Sequence, residues 1–269
     1  MSGWRELPFT PHRQVVYDLL ARARRFHAPV TGSFELDVTR TRDRIRGAKR
    51  DGQALSFIAY LVRATAMIVA KHPELRRHLF TTWWGRPRDV AFERISCTLI
   101  VARRAPGGEE ILLPVLIPDV DRLSIEQLHA LVQHHRSAPV EELEPYRAFE
   151  RVKAAPRLAL RWFSYKARSD PEFYQRYFGL YGLSSLMDPR GAENAMATYA
   201  NTAVAFLPGT LRERPWVVGG EIVPRTILNL SVVFDHYLLD GAQMARVHST
   251  LRALLEEPER VLGPEGASA

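Results

Sequence analysis

The chain has 269 residues, of which 46% are hydrophobic and 25% charged, with a formal net charge of +7. Those proportions belong to an ordinary globular protein with enough chain to bury a core, and they exclude low-complexity and disulfide-stapled classes. The one cysteine, Cys97, precludes an intrachain disulfide. It lies in the apolar run Ile95–Val101 and reads as a buried strand residue in a reducing compartment, not as a nucleophile. No apolar stretch approaches the roughly 20 residues of a membrane span, and Met1–Glu6 carries no apolar signal core. A cytoplasmic protein without a membrane partner is expected.

Thr10 and Pro11 read as N-cap and first residue of a helix running to about Arg25. Thr31–Val38 alternates and predicts a strand. Thr39 then caps a basic helix that stops near Gly52, carrying Arg40, Arg42, Arg44, Arg46, Lys49 and Arg50. This cluster reads first as a solvated face and second as an attractor of anionic partners. Nucleic acid is disfavoured, because no aromatics interleave with the cluster and no binding motif accompanies it.

Ser56 opens the strongest helix, with Phe57, Leu61, Ala64 and Ile68 on one face, ending before Pro73. Residues 95–102 and 110–117 predict a hairpin across the turn Ala105–Gly108. Ser124 and Gln127 form a capping box for the helix carrying Ile125, Leu128, Leu131 and Val132. Residues 139–178, rich in Pro, Arg and aromatics, predict helices with a large apolar face, since a structureless loop of that length is improbable. Strands follow at about 180–186, 199–206 and 226–234. The last helix starts after Asp240-Gly241, buries Met244, Val247, Leu251, Leu254 and Leu255, and ends at Pro258. Residues 263–269 read as a disordered tail. Strands and helices mix without a strict βαβ rhythm, so the expected class is α/β in the α+β two-layer sense, a mixed sheet covered by helices.

His236 follows the apolar run Ile227–Phe234 and precedes a loop and a helix, a place where scaffolds present reactive groups. Three generic roles compete: a structural histidine, a metal ligand with Asp240, and the base of a hydrolase triad. No third metal ligand stands nearby and no Gly-x-Ser-x-Gly elbow exists in the chain. The residues alone leave His236 a candidate base.

Asp235-His236-Tyr237-Leu238-Leu239-Asp240-Gly241-Ala242 resembles the Asp-His-Arg-x-x-Asp-Gly-Ala signature of the dihydrolipoyl acyltransferase subunit of 2-oxo acid dehydrogenase complexes, to which chloramphenicol acetyltransferase is related. The resemblance continues in order along residues 10–262. It takes in Pro29–Thr39, His72-Pro73-Glu74-Leu75, Ile111–Leu116, Gly182–Leu186, Glu221–Arg225 and the closing Leu251–Leu262. Tyr237 departs from the signature arginine, and Met187-Asp188 replaces the usual glycine.

The resemblance implies a chloramphenicol-acetyltransferase-like fold and a coenzyme A-dependent acyltransferase. His236 would be the general base acting on a thiol (dihydrolipoyl-type) or on a small-molecule acceptor. Ser184 would be the oxyanion donor, supplied by the neighbouring subunit of a homotrimer, with Ser185 as the fallback. Asp240 would fix the loop, in an ion pair with Arg13. Coenzyme A or acyl-CoA would be a substrate, with no metal and no covalently attached lipoyl group in this chain. One acyltransferase catalytic domain over 1–269, core about 10–262, is expected, without lipoyl or peripheral subunit-binding domains. A lipoyl-bearing protein acting in trans is an implied partner. The competing expectation is a catalytically silent assembly module with the same trimeric fold.

Overall fold

The structure, a computed structural model, describes residues 27–184 and 202–263 together with Thr10, Arg13, Gln14 and Tyr17. Arg13, Gln14 and Tyr17 are helical, in keeping with the expected first helix. The rest of that helix, Ser185 and the tail beyond Gly263 lie outside the described residues.

A seven-stranded sheet carries the molecule. In chain order its strands are β1 (Pro29–Asp37), β4 (Cys97–Arg104), β5 (Glu110–Ile117), β6 (Tyr181–Ser184), β7 (Val204–Pro208), β8 (Arg212–Val218) and β9 (Glu221–Asp235). Their order in space is β1-β9-β7-β6-β4-β5, with β8 also paired to β9. The β4–β6 and β6–β7 pairings are parallel and the rest antiparallel, so the sheet is mixed. The predicted hairpin is β4–β5. A second hairpin, β2 (Arg77–Thr81) with β3 (Pro87–Ala91), stands apart from the main sheet.

β9 is buried without interruption from Thr226 to Asp235. One face sends Leu228, Leu230, Val232 and Phe234 into the main core, while the other buries Asn229 and Ser231 with Ile227 and Val233, so the strand is covered on both faces. Its first half pairs with β8 around Gly219-Gly220, both at positive φ, the backbone a tight two-residue turn requires. Val217, Val218 and Ile222 remain exposed in that hairpin.

The main covering helix is α2 (Phe57–Lys71), following the basic helix α1 (Thr39–Arg50). Ser56 caps α2 by accepting from the Ala59 amide at 3.3 Å. Its burial is wider than the single predicted face, with Ala59, Tyr60, Leu61, Val62, Ala64, Thr65, Ala66, Ile68 and Val69 all enclosed. The Tyr60 hydroxyl donates to the Leu254 carbonyl at 2.5 Å, tying α2 to the closing helix. On α1, Thr39 is the first helical residue instead of the cap. Val38 holds the N-cap position without a side-chain cap, and Asp37 before it accepts from both the Thr39 amide (3.1 Å) and its hydroxyl (2.6 Å). The basic face of α1 is in part paired: Arg40 with Glu259 at 2.8 Å, Arg42 with the Thr226 hydroxyl at 3.1 Å and Arg46 with Asp43 at 3.7 Å.

The 139–178 region forms α4 (Glu144–Ala154), α5 (Arg157–Ser169) and α6 (Pro171–Tyr177), after α3 (Ile125–Ser137) with its Ser124–Gln127 capping box. Tyr174 of α6 is buried, whereas Leu158, Trp162 and Tyr177 stay exposed, as do Trp83 and Trp84 at the tip of the β2–β3 hairpin. The large apolar face expected of this region is therefore only partly covered.

Gly179, between α6 and β6, sits at φ +69°, and a Cβ there would lie 2.6 Å from Thr98 Oγ1 and 3.2 Å from the Thr98 amide. Both the backbone and the space demand glycine. Cys97 is fully buried in β4, and burial pushes its thiol up to about 12. It stays protonated and is no nucleophile. Among the described residues no helix is long and apolar enough to cross a membrane.

Candidate active site

The final helix of note, α7 (Gly241–Glu256), is reached from β9 through a turn at His236–Leu238. Asp235 closes the strand, and its carbonyl accepts from the amides of Leu238 and Leu239, each at 3.0 Å. The His236 amide donates to the Ala28 carbonyl at 2.8 Å, so the turn is stitched to the residue before β1.

The His236 ring is exposed, and its Nδ1 lies 2.8 Å from the Leu239 carbonyl oxygen. A carbonyl can only accept, so Nδ1 carries the proton. In the neutral ring the lone pair is then on Nε2, the atom left to act as a base. The turn thus selects one tautomer.

Asp240 caps α7. Its carboxylate accepts from the Gln243 amide at 2.8 Å while the Gln243 side chain accepts from the Asp240 amide at 2.8 Å, a reciprocal capping box. Among the described residues Asp240 and Arg13 form no ion pair. Arg13 is exposed on the N-terminal helix, and its amide bonds back to the Thr10 hydroxyl at 3.3 Å. The helix N-terminus already satisfies Asp240, so it needs no cation.

The buried carboxylate at this turn is Asp235, 3% exposed. It receives His27 Nδ1 at 2.6 Å, the Ala28 amide at 3.1 Å and the Tyr237 amide at 3.1 Å. Burial alone would raise its pKa, but these bonds, the one from His27 foremost, outweigh burial and hold it below the usual carboxylate range. His27 packs 5.5 Å from His78 of β2, which stacks on Tyr174 at 4.1 Å. Burial, and next the neighbouring His27, push His78 down to about 3, so it is neutral at pH 7. No role was assigned to Asp235 or His27 from the sequence. The available signal was a carboxylate at the end of an apolar strand, which must find partners once buried.

Ser184 is half-buried at the C-terminal end of β6. In register, Leu183 aligns with Phe206 and Phe206 with Val232. Ser184 thus points along the sheet away from His236, five residues distant along the strands and two strands across. At strand spacings that is roughly 20 Å within one chain. The structure brings His236, Asp235 and Asp240 to one turn and leaves Ser184 apart from them, level with Ser231 of β9.

Residues 193–263 match the family model described as 2-oxoacid dehydrogenases acyltransferase (catalytic domain). Over that C-terminal stretch the chain is similar to the catalytic domain of the 2-oxoacid dehydrogenase acyltransferases. A 61-residue segment is 41% identical to the mitochondrial dihydrolipoyllysine-residue succinyltransferase component of the 2-oxoglutarate dehydrogenase complex of Saccharomyces cerevisiae, covering 23% of this chain and 13% of that protein. The corresponding component of Haemophilus influenzae is 23% identical over 96% of this chain and 55% of its own length. The chain therefore spans about half or less of these acyltransferase relatives. Two solved structures superpose with a TM-score of 0.69 at 20% identity, covering 96% of this chain and 94% of theirs: the cubic core of the pyruvate dehydrogenase multienzyme complex and the dihydrolipoamide acetyltransferase of Azotobacter vinelandii. Chloramphenicol acetyltransferase follows at a TM-score of 0.50 and 16% identity, over 90% of this chain and 95% of its own. The mixed sheet covered by helices is the fold these acyltransferases share.

Proposed function

We propose that the protein is a coenzyme A-dependent acyltransferase in which His236 is the general base, working without a covalent enzyme intermediate. The observation that carries this reading is the bond from His236 Nδ1 to the Leu239 carbonyl, which leaves Nε2 as acceptor on an exposed ring at a strand end. Nε2 removes the proton from the acceptor thiol. A positioned base can carry out this transfer near neutral pH. The sulfur attacks the thioester carbonyl of acyl-CoA. The tetrahedral oxyanion collapses by breaking the bond to the coenzyme A sulfur, which takes the proton back from the imidazolium.

Ser184 is the proposed oxyanion donor, a contribution on the order of 3 kcal/mol. Its roughly 20 Å separation from His236 in one chain supports a site shared by two copies in a homotrimer, with His236 from one and Ser184 from the next. The exposed Val217, Val218 and Ile222 of the β8–β9 hairpin supply apolar surface for such an assembly. In the Azotobacter vinelandii acetyltransferase a serine, a histidine and an asparagine have been studied for their role in the catalytic mechanism. Ser184 and Asp240 stand at the same sequence offsets from His236 as that serine and asparagine do from their histidine. The acceptor in this reading is a dihydrolipoyl thiol, presented by another protein or as a small molecule.

Acetyl transfer from acetyl-CoA to free dihydrolipoamide, compared between wild type and His236→Ala, tests the reading. Transfer is expected in the wild type and a fall of at least about 100-fold in the variant, the usual worth of a general base. A folded, assembled wild type that transfers to no thiol, alcohol or amine would instead mark a silent assembly module.

A further inference from the structure

We propose that His27 and Asp235 are positioning residues that set the proton-accepting tautomer of His236. The proposal rests on the reading of His236 as a base. Three observations carry it. First, the acceptor that fixes His236 Nδ1 is the Leu239 carbonyl, a group inside the same turn, so the tautomer is only as firm as the turn. Second, the turn is held through Asp235: its carbonyl takes the Leu238 and Leu239 amides, and its carboxylate takes the Tyr237 amide at 3.1 Å. Third, that carboxylate is fixed in turn by His27 Nδ1 at 2.6 Å and the Ala28 amide at 3.1 Å, while the Ala28 carbonyl holds the His236 amide at 2.8 Å. His27 and Ala28 thus grip both the backbone of the base and the side chain beside it.

His27 is itself confined from behind. His78 lies 5.5 Å away, ring to ring, and is stacked on Tyr174 of α6. A line of packed side chains therefore runs from the helical 139–178 region to the turn. When His27 cannot donate, Asp235 loses its shortest bond, the Tyr237 amide loses a fixed acceptor, and the Leu239 carbonyl is free to move off Nδ1. The ring can then carry its proton on Nε2, where it no longer accepts from a thiol.

The test uses the full chain labelled with 15N-histidine, in wild type, His27→Leu and His27→Asn. Asparagine keeps an N–H donor near the place of Nδ1; leucine removes it. In His27→Leu the 15N spectrum should show His236 losing its pure Nδ1–H form. Acyl transfer should show kcat lower by about 10–100-fold, the usual worth of an outer-shell partner, with KM for acyl-CoA nearly unchanged. His27→Asn should recover most of both. Circular dichroism confirms that the variants are folded; if His27→Leu does not fold, Asp235→Asn, which is isosteric but cannot accept on both sides, replaces it. A folded variant whose His236 tautomer matches wild type overturns the proposal, whatever its kcat. A tautomer that shifts in a protein whose wild type transfers nothing would leave the positioning role intact and remove the acyltransferase reading instead.

Discussion

His78 shows what burial of a titrating ring costs. It is 3% exposed, lies between His27, Phe80 and Tyr174, and its Nδ1 has no hydrogen-bond partner among the described residues. In the unfolded chain the imidazole takes a proton below about pH 6.5; in the folded chain it stays neutral down to about 3. The unfolded state binds more protons throughout that window, so this residue's contribution falls as pH falls from 6.5 towards 3. At pH 5 the loss is on the order of 2 kcal/mol. His78→Phe keeps the stacking and removes the titration. Urea unfolding at pH 7 and pH 5 should show a smaller difference for the variant, and equal differences for both proteins would refute this. Gly179→Ala should destabilise by on the order of 2 kcal/mol or more, since left-handed backbone and a backbone clash add, with thermal unfolding as the measure.

Among the site residues, His236 and Asp240 were legible because they share one short stretch and a recognisable signature. The bond that Asp240 makes among the described residues is a cap in its own helix, which a carboxylate just before Gly241-Ala242-Gln243 offers locally. His27 and Asp235 were not legible as a pair. They lie 208 residues apart, and only the antiparallel register that aligns Pro29 with Asp235 brings them together.

At the scale of elements, Asp240 reports on α7. Asp240→Ala removes the cap and should cost about 1 kcal/mol, whereas Asp240→Asn, an equally good cap, should be near neutral by chemical denaturation. A large loss in Asp240→Asn would mean that the charge matters, as an ion pair would require. Most elements followed from periodicity and capping signals, including α2, α3, α7 and the β4–β5 hairpin. Those missed share a physical cause. β2–β3 stands off the main sheet, and β3 is exposed over most of its length, so no alternation of apolar residues marks it. β8 opens on three charged residues, Arg212-Glu213-Arg214, before Pro215 and pairs with a single strand, where a proline is tolerated but strand propensity is weak. β9 starts five residues earlier than predicted, at Glu221, because its exposed first half is held by β8 and not by burial.

At the scale of the whole molecule, the mixed sheet was legible as a class, but the order β1-β9-β7-β6-β4-β5 was not. Pairing β1 with β9 spans nearly the whole chain, and no local signal encodes it. That order bears on the proposed function, because it sets His236 and Ser184 two strands and about five residues apart, roughly 20 Å. If acyl transfer takes place, the two residues act together only across copies. Co-expression of His236→Ala with Ser184→Ala subunits tests this most directly. On the proposed reading each variant alone has no intact site, whereas a mixed assembly would pair the histidine of one subunit with the serine of its neighbour. The account predicts acetyl transfer in the mixed assembly well above either parent. Mixed assemblies that form but show no gain over the Ser184→Ala parent would contradict it.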